Sequence, residues 1–228
     1  MESLDLLANN VANASTGGYK ADREYYSLYV APEAADNDSL STMPVIQKQW
    51  TDLSQGVLQT TGNPLDLALS GKGFFAVQSP RGPLYTRNGS FQLDADGTLV
   101  TADGYAVSGT GGSTLTLDAS RPTKIASDGT VTQDGTVIGQ LEVVDFTSGA
   151  GLSKQGNNYF RAADATQPPA PASGALVQQG GLEASNSGTA DSAVRLIGIM
   201  RQFEMLQKAM TLGSDMSKQA IEQVAKVG

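Results

Sequence analysis

From Thr189 to Val227 the chain carries one continuous seam. Ile199, Phe203, Leu206, Met210, Ala220 and Val224 fall on alternating steps of four and three once Gly213 and Ser217 are counted as its small members. That spacing keeps one face of an α-helix apolar, as in helices that wrap partners in coiled coils. The opposite face is polar and mixed in sign. Arg201 stands three residues before Glu204, Glu204 four before Lys208, and Glu222 four before Lys226, each pair worth roughly 0.2–0.5 kcal/mol. Such a helix runs about 57 Å, longer than a compact domain of this size needs. The fold must therefore leave a long seam for a partner.

A chain of 228 residues can bury a real core in one large or two small domains. It contains neither cysteine nor histidine, which removes Cys/His metal centres, thiol nucleophiles and imidazole bases. No cofactor is expected. A net charge of −8 argues against nucleic acid and anionic membrane surfaces, both of which reward clustered Lys and Arg. No apolar run is long enough for membrane insertion. Residues Met1 to Ala14 lack the basic start and continuous apolar stretch of a cleaved secretory signal, so export would need another route.

At the N-terminus Leu4, Leu7, Val11 and Ala14 follow steps of three and four, predicting a short amphipathic helix over Met1 to Asn13 that ends at Ser15-Thr16-Gly17-Gly18. A helix this short is marginal alone in water, and the long C-terminal helix is its natural neighbour. Residues 31–54 read as a connector, with Asp36 to Ser39 its most loop-like run, Val45 to Trp50 a short strand, and Trp50 packed onto the body.

Between Leu65 and Phe160 the pattern turns to short β-type runs. Leu65–Leu69, Phe74–Gln78, Leu84–Arg87, Ser90–Leu93, Thr98–Thr101, Thr114–Leu117, Thr130–Gln133 and Leu141–Phe146 each read as strands. Asp96-Gly97, Asp103-Gly104, Asp128-Gly129 and Asp134-Gly135 are dipeptides suited to tight hairpin turns. The expected fold class is mainly β with terminal α-helices: a central antiparallel β domain of barrel or sandwich form, flanked by N- and C-terminal helices that pair. The expected division is residues 1–30 for the N-terminal part of a helical inner domain, 31–62 for the connector, 63–180 for the β domain, and 181–228 for the C-terminal helix.

Chemical motifs fail on their spacing. Asp94-Ala95-Asp96-Gly97 begins like a calcium loop, but Leu99 and Tyr105 stand where that loop needs glycine and glutamate. Gly109-Thr110-Gly111-Gly112 and Gly71-Lys72-Gly73 complete no phosphate loop. A hydrolase built on paired carboxylates would draw on Asp66, Asp94, Asp96, Asp103, Asp128 and Asp134, yet most occupy turn positions that aspartate fills for backbone reasons. No enzyme activity, catalytic residue, metal site or small-molecule substrate is expected.

Three stretches carry a resemblance. Leu6 to Lys20 contains Asn9-Asn10-Val11-Ala12-Asn13 and ends Gly17-Gly18-Tyr19-Lys20. Gly62-Asn63-Pro64-Leu65-Asp66 runs on through Gly71-Lys72-Gly73-Phe74-Phe75, Tyr85-Thr86-Arg87-Asn88-Gly89-Ser90-Phe91 and Asp103-Gly104-Tyr105. Leu182-Glu183-Ala184-Ser185-Asn186 leads into Met200-Arg201-Gln202-Phe203-Glu204-Met205. In this order they resemble the bacterial flagellar axial proteins of the rod and hook, with Asn9, Asn10, Asn13, Gly73, Phe74, Phe75, Thr86, Arg87, Gly89 and Phe91 the most characteristic positions. The length, the Thr51-Asp52-Leu53-Ser54-Gln55-Gly56 run and the Arg201 to Met205 run are most like proximal rod members. Family members carry further helical residues before the position of Met1, so the N-terminal helix is expected to be truncated relative to them.

The resemblance implies a structural subunit of the basal-body rod, exported unfolded through the flagellar type III export apparatus without a cleaved signal peptide. It would assemble in the periplasm with other axial subunits and copies of itself, into a hollow torque-transmitting shaft with the helices inside. The expected assembly interface sets Leu4, Leu7 and Val11 against Ile199, Phe203, Leu206 and Met210, with Ala220 and Val224 extending the seam. Two alternatives are a distal rod or hook paralogue, and a secreted glycan-binding β module oligomerised by its helices, which would require an exposed aromatic platform.

Overall fold

The computed structural model describes residues 2–30, 42–146, 151–156, 158–163 and 169–227. Helix α1 spans Glu2–Ala12 and helix α2 spans Thr189–Val227, close to the bounds the periodicity predicts. The strands are β1 (Asp22–Val30), β2 (Thr42–Thr51), β3 (Leu58–Thr60), β4 (Leu67–Ser70), β5 (Phe74–Ser79), β6 (Gly82–Thr86), β7 (Phe91–Leu93), β8 (Leu99–Thr101), β9 (Ala106–Gly109), β10 (Ser113–Thr114), β11 (Thr123–Ile125), β12 (Thr130–Gln133), β13 (Thr136–Gln140), β14 (Val143–Asp145), β15 (Leu152–Gln155), β16 (Tyr159–Ala162), β17 (Ala170–Pro171), β18 (Leu176–Gln179) and β19 (Gly181–Glu183). All described pairings are antiparallel.

Ten strands form the main sheet, ordered β15-β16-β6-β5-β9-β8-β7, with β10 on β9 and with β14 between β5 and β17. The expected barrel does not form among the described strands. Closure requires a ladder on both edges of every strand, whereas β7 pairs only β8, β15 pairs only β16, and these two ends do not meet. Smaller sheets accompany the main one: β11-β12-β13, β18-β4 and β19-β3.

The reason β5 lies at the centre is written in its sequence, Phe74-Phe75-Ala76-Val77. Alternate side chains of a strand face opposite sides, and here both sides are buried. Phe75 and Val77 enter the main core with Leu67, Leu99, Leu115, Val131 and Val177, while Phe74 and Ala76 enter a second cluster with Tyr85, Val144 and Phe160. The Asp-Gly dipeptides turn the chain as expected. Asp134 and Gly135 both have positive φ, 49° and 80°, the requirement of a type I′ hairpin turn. The Asp94 carboxylate accepts from the amides of Asp96 and Thr98 at 3.0 and 2.7 Å, the work of a turn residue rather than of a calcium ligand.

Periodicity does not pick out β1, which lies within the 1–30 segment, and β2 extends beyond the expected Val45–Trp50 strand. Together they form a separate two-stranded ribbon. Trp50 stands opposite Arg23 in this ribbon and is 47% exposed, not packed on the body as expected. The Asp36 to Ser39 loop lies outside the described residues.

Candidate functional site

Where the two ends of the chain meet the β body, three charged side chains are buried together. The Lys20 ammonium donates to Glu183 Oε1 at 2.6 Å and to the Ser54 carbonyl at 2.6 Å. Arg87 donates to Glu183 Oε2 at 3.1 Å and to the Gly71 carbonyl at 2.6 Å, with its guanidinium 5.5 Å from the Phe74 ring centre. Glu183 Oε1 also accepts from the Gly56 amide at 2.8 Å. One carboxylate thus joins four segments: the stretch after α1, the run before β3, the end of β6, and β19. Burial pushes the Lys20 ammonium and the Arg87 guanidinium below their ordinary ranges, against the pull of Glu183 in each case. Two cations share one anion, so the Glu183 charge is what keeps this centre compatible with burial.

The asparagines of the N-terminal run pin α1 to the same place. The Asn10 side-chain amide donates to the Asp22 carbonyl at 2.8 Å and accepts from the Asp22 amide at 3.0 Å, reproducing on a side chain the paired bonds of a strand neighbour. The fully buried Tyr19 brings its hydroxyl within 2.9 and 3.0 Å of Asn9 and Asn10 Oδ1. Asn13 turns back to donate to the Asn9 carbonyl at 2.9 Å. Lys154 of β15 covers the Tyr19 ring at 4.0 Å and binds Asp22 Oδ2 at 2.7 Å. From the other end Asn186 accepts from the Ala21 amide at 2.7 Å and donates to the Asp52 carbonyl at 2.7 Å.

Backbone proximity explains the glycines. A Cβ on Gly89 would lie 1.7 Å from the Leu67 carbonyl oxygen, and one on Gly18 would lie 2.2 Å from the Asn88 nitrogen. Thr86 is buried and donates to the Asn158 carbonyl at 2.8 Å, and Phe91 packs edge-on against Phe75 at 5.2 Å. Gly73 (φ 143°) lets the chain enter β5 beside Val143 and Ala172. The motif residues of the sequence are therefore internal pins.

The expected interface residues are placed differently. Leu7 is buried and Leu4 half-buried, while Val11 is 46% exposed. Leu6, Leu7 and Asn10 of α1 face Ser192, Arg195 and Ile199 at the start of α2 across a crevice of about 50 Å³. Beyond it the seam is open: Phe203 is 51% and Met210 73% exposed. The side chains of Leu206, Ala220 and Val224 lie outside those described. Sequence reasoning missed a second apolar row, Met205, Ala209, Leu212 and Met216, whose large members are equally exposed. Each stands one residue before a position of the first row, Leu206, Met210, Gly213 and Ser217, hence about 100° around the helix. It also missed Tyr19, Lys20, Lys154, Glu183 and Asn186 as a set, though all but Lys154 lie inside the stretches that carry the resemblance.

Comparison with known proteins matches the same regions. The family model for the flagellar hook protein FlgE/F/G D1 domain matches residues 68–139, and that for the flagellar basal body rod FlgEFG protein C-terminal region matches residues 178–223. The chain is 34% identical to the flagellar basal-body rod protein FlgF of Caulobacter vibrioides, over 98% of its own length and 92% of the relative. It is 33% identical to FlgG of Bacillus subtilis over 96% and 92%, and 34% identical to FlgG of Agrobacterium fabrum over 94% and 91%. On identities of 33–34% over nearly its whole length and nearly all of these relatives, the chain belongs to the family of flagellar basal-body rod proteins.

Proposed function

We propose that this chain is a non-catalytic subunit of the flagellar basal-body rod that self-assembles through its terminal helices into a hollow, torque-transmitting shaft. The observation that carries the reading is exposed apolar side chains in two rows of α2, Phe203 and Met210 in one and Met205, Leu212 and Met216 in the other. One row would ask for one neighbour; two rows about 100° apart ask for a neighbour on each of two faces. A contact repeated head to tail without closing generates a helical filament. Leu4, Leu7 and Val11 with Ile199, Phe203, Leu206 and Met210, continued by Ala220 and Val224, form this inner interface, pairing α1 and α2 within and between subunits.

In this arrangement residues 1–30 and 181–228 make the inner layer, residues 31–62 the connector, and residues 63–180 the outer body. Load passing from the helices enters the body through Lys20, Glu183 and Arg87, which are buried and bonded to several segments. The partners are other axial subunits and copies of this chain. Delivery to the periplasm through the type III export apparatus, without a cleaved signal, follows the resemblance. So does a proximal place along the rod, which rests on the Thr51 to Gly56 and Arg201 to Met205 runs.

The test replaces Phe203 and Met210 by glutamate in the full-length product and examines purified basal bodies. Loss of incorporation with a normally folded monomer is expected. Basal bodies that take up the double variant at the normal level would remove the basis of the proposal.

A further inference from the structure

A second feature of the β body is unrelated to the helices. A cleft of about 710 Å³ opens beside the β5–β6 turn and strand β16, lined by Arg81, Asp103, Tyr105, Asn158, Tyr159 and Arg161 among others. In a chain of net charge −8, two guanidinium groups face one cavity. Among the described residues neither has an ion-pair partner, and Arg161 Nε is closed off from solvent without a hydrogen-bond acceptor. The two guanidinium groups, with no carboxylate among the described residues paired to them, are free to take an anion that enters the cleft.

The rest of the lining is already fixed in place. Tyr159 donates to Asp103 Oδ2 at 2.5 Å and lies 3.1 Å from Thr101 Oγ1, and its ring meets Tyr105 edge-on at 5.4 Å. The other Asp103 oxygen has no donor among the described residues. The cleft therefore presents guanidinium donors, a carboxylate acceptor and an amide, over a wall to which the largely buried Tyr159 contributes.

We propose that this cleft is a binding site for a carboxylate-bearing oligosaccharide, with Arg81 and Arg161 taking the sugar acid and Asp103 and Asn158 taking hydroxyls. The wall favours a saccharide over an acidic peptide: Asp103 repels a second carboxylate but accepts from a hydroxyl. A volume of about 710 Å³ lies in the range of small-ligand pockets.

The experiment titrates the full-length chain with glucuronosyl-xylobiose, which carries one carboxylate, with its methyl ester, and with tetraglutamate, following the Tyr105 and Tyr159 ring signals by NMR. Saturable binding of the acid is expected. Binding should weaken about tenfold in the ester, which keeps the shape and removes the charge, and by a similar factor in Arg161→Met. Arg81→Met, at an exposed turn, gives the same readout should Arg161→Met fail to fold. No saturable shift, equal affinity for acid and ester, tighter binding of tetraglutamate, or full binding by a folded arginine variant would each overturn the assignment.

Discussion

Replacing Glu183 by glutamine should be among the most damaging single-atom changes available to this chain. The carboxylate is buried and opposed by two cations, Lys20 at 2.6 Å and Arg87 at 3.1 Å. Glutamine keeps an oxygen for Lys20 and the Gly56 amide, but turns an NH₂ donor towards the Arg87 donor and leaves the cations only the weaker pulls of Asp52 on Lys20 and Asp145 on Arg87. Removing one member of a buried ion pair costs about 3–5 kcal/mol. For a chain of this size each kcal/mol moves the melting temperature by roughly 2–4 °C, giving a fall of roughly 6–20 °C. Lys20→Met is the informative comparison, because Glu183 then retains Arg87 and the Gly56 amide. Its cost should be smaller, about 1–3 kcal/mol. Urea unfolding followed by circular dichroism gives both values, and the double variant should cost less than their sum, since the two residues act on one contact. If Glu183→Gln loses under about 1 kcal/mol, or Lys20→Met proves the worse of the two, the electrostatic reasoning is wrong.

Gly89→Ala should destabilise by about 3 kcal/mol, since the new Cβ would sit 1.7 Å from a backbone oxygen; an unchanged denaturation midpoint would contradict that packing. Burial, reinforced by Asp103, holds the Tyr159 hydroxyl well above its ordinary range. The unfolded chain releases this proton near pH 10 while the folded chain keeps it, so its contribution is full below pH 10 and falls as pH rises towards the folded value. The stability difference between wild type and Tyr159→Phe should therefore shrink between about pH 9 and 11; a constant or growing difference would count against this. Phe203→Glu, at a half-exposed position on α2, should change monomer stability by no more than about 0.5 kcal/mol. A larger loss in calorimetry would mean that the seam already has an internal partner.

What was readable in the residues was whatever repeats locally. The bounds of α2 follow from steps of three and four, and the Asp-Gly turns follow from the positive φ that glycine takes readily at each of them. Strands such as Phe74–Ser79 announce themselves by composition. The Lys20–Glu183 contact has no local signature, because its partners lie 163 residues apart and nothing in either neighbourhood repeats. Strand β1 has a different cause: Asp22-Arg23-Glu24-Tyr25-Tyr26 lacks the alternation of apolar and polar residues by which a half-buried strand is recognised. The open sheet escaped prediction because short antiparallel runs are common to closed and open arrangements, and only the pairing of the end strands separates them.

That same long-range contact imposes an order in time. Chains are made from the N-terminus, so Tyr19 and Lys20 exist long before Glu183 and Asn186, which complete their surroundings. Until β19 is made, Lys20 and Arg87 lack their shared anion, and the Gly56 amide lacks its acceptor. Most strand pairings of the body join near neighbours and can form early; the joint at its base must wait for the last segment before α2, with the slow closure expected of distant contacts. A nascent chain is therefore unlocked at its base until its two ends have met.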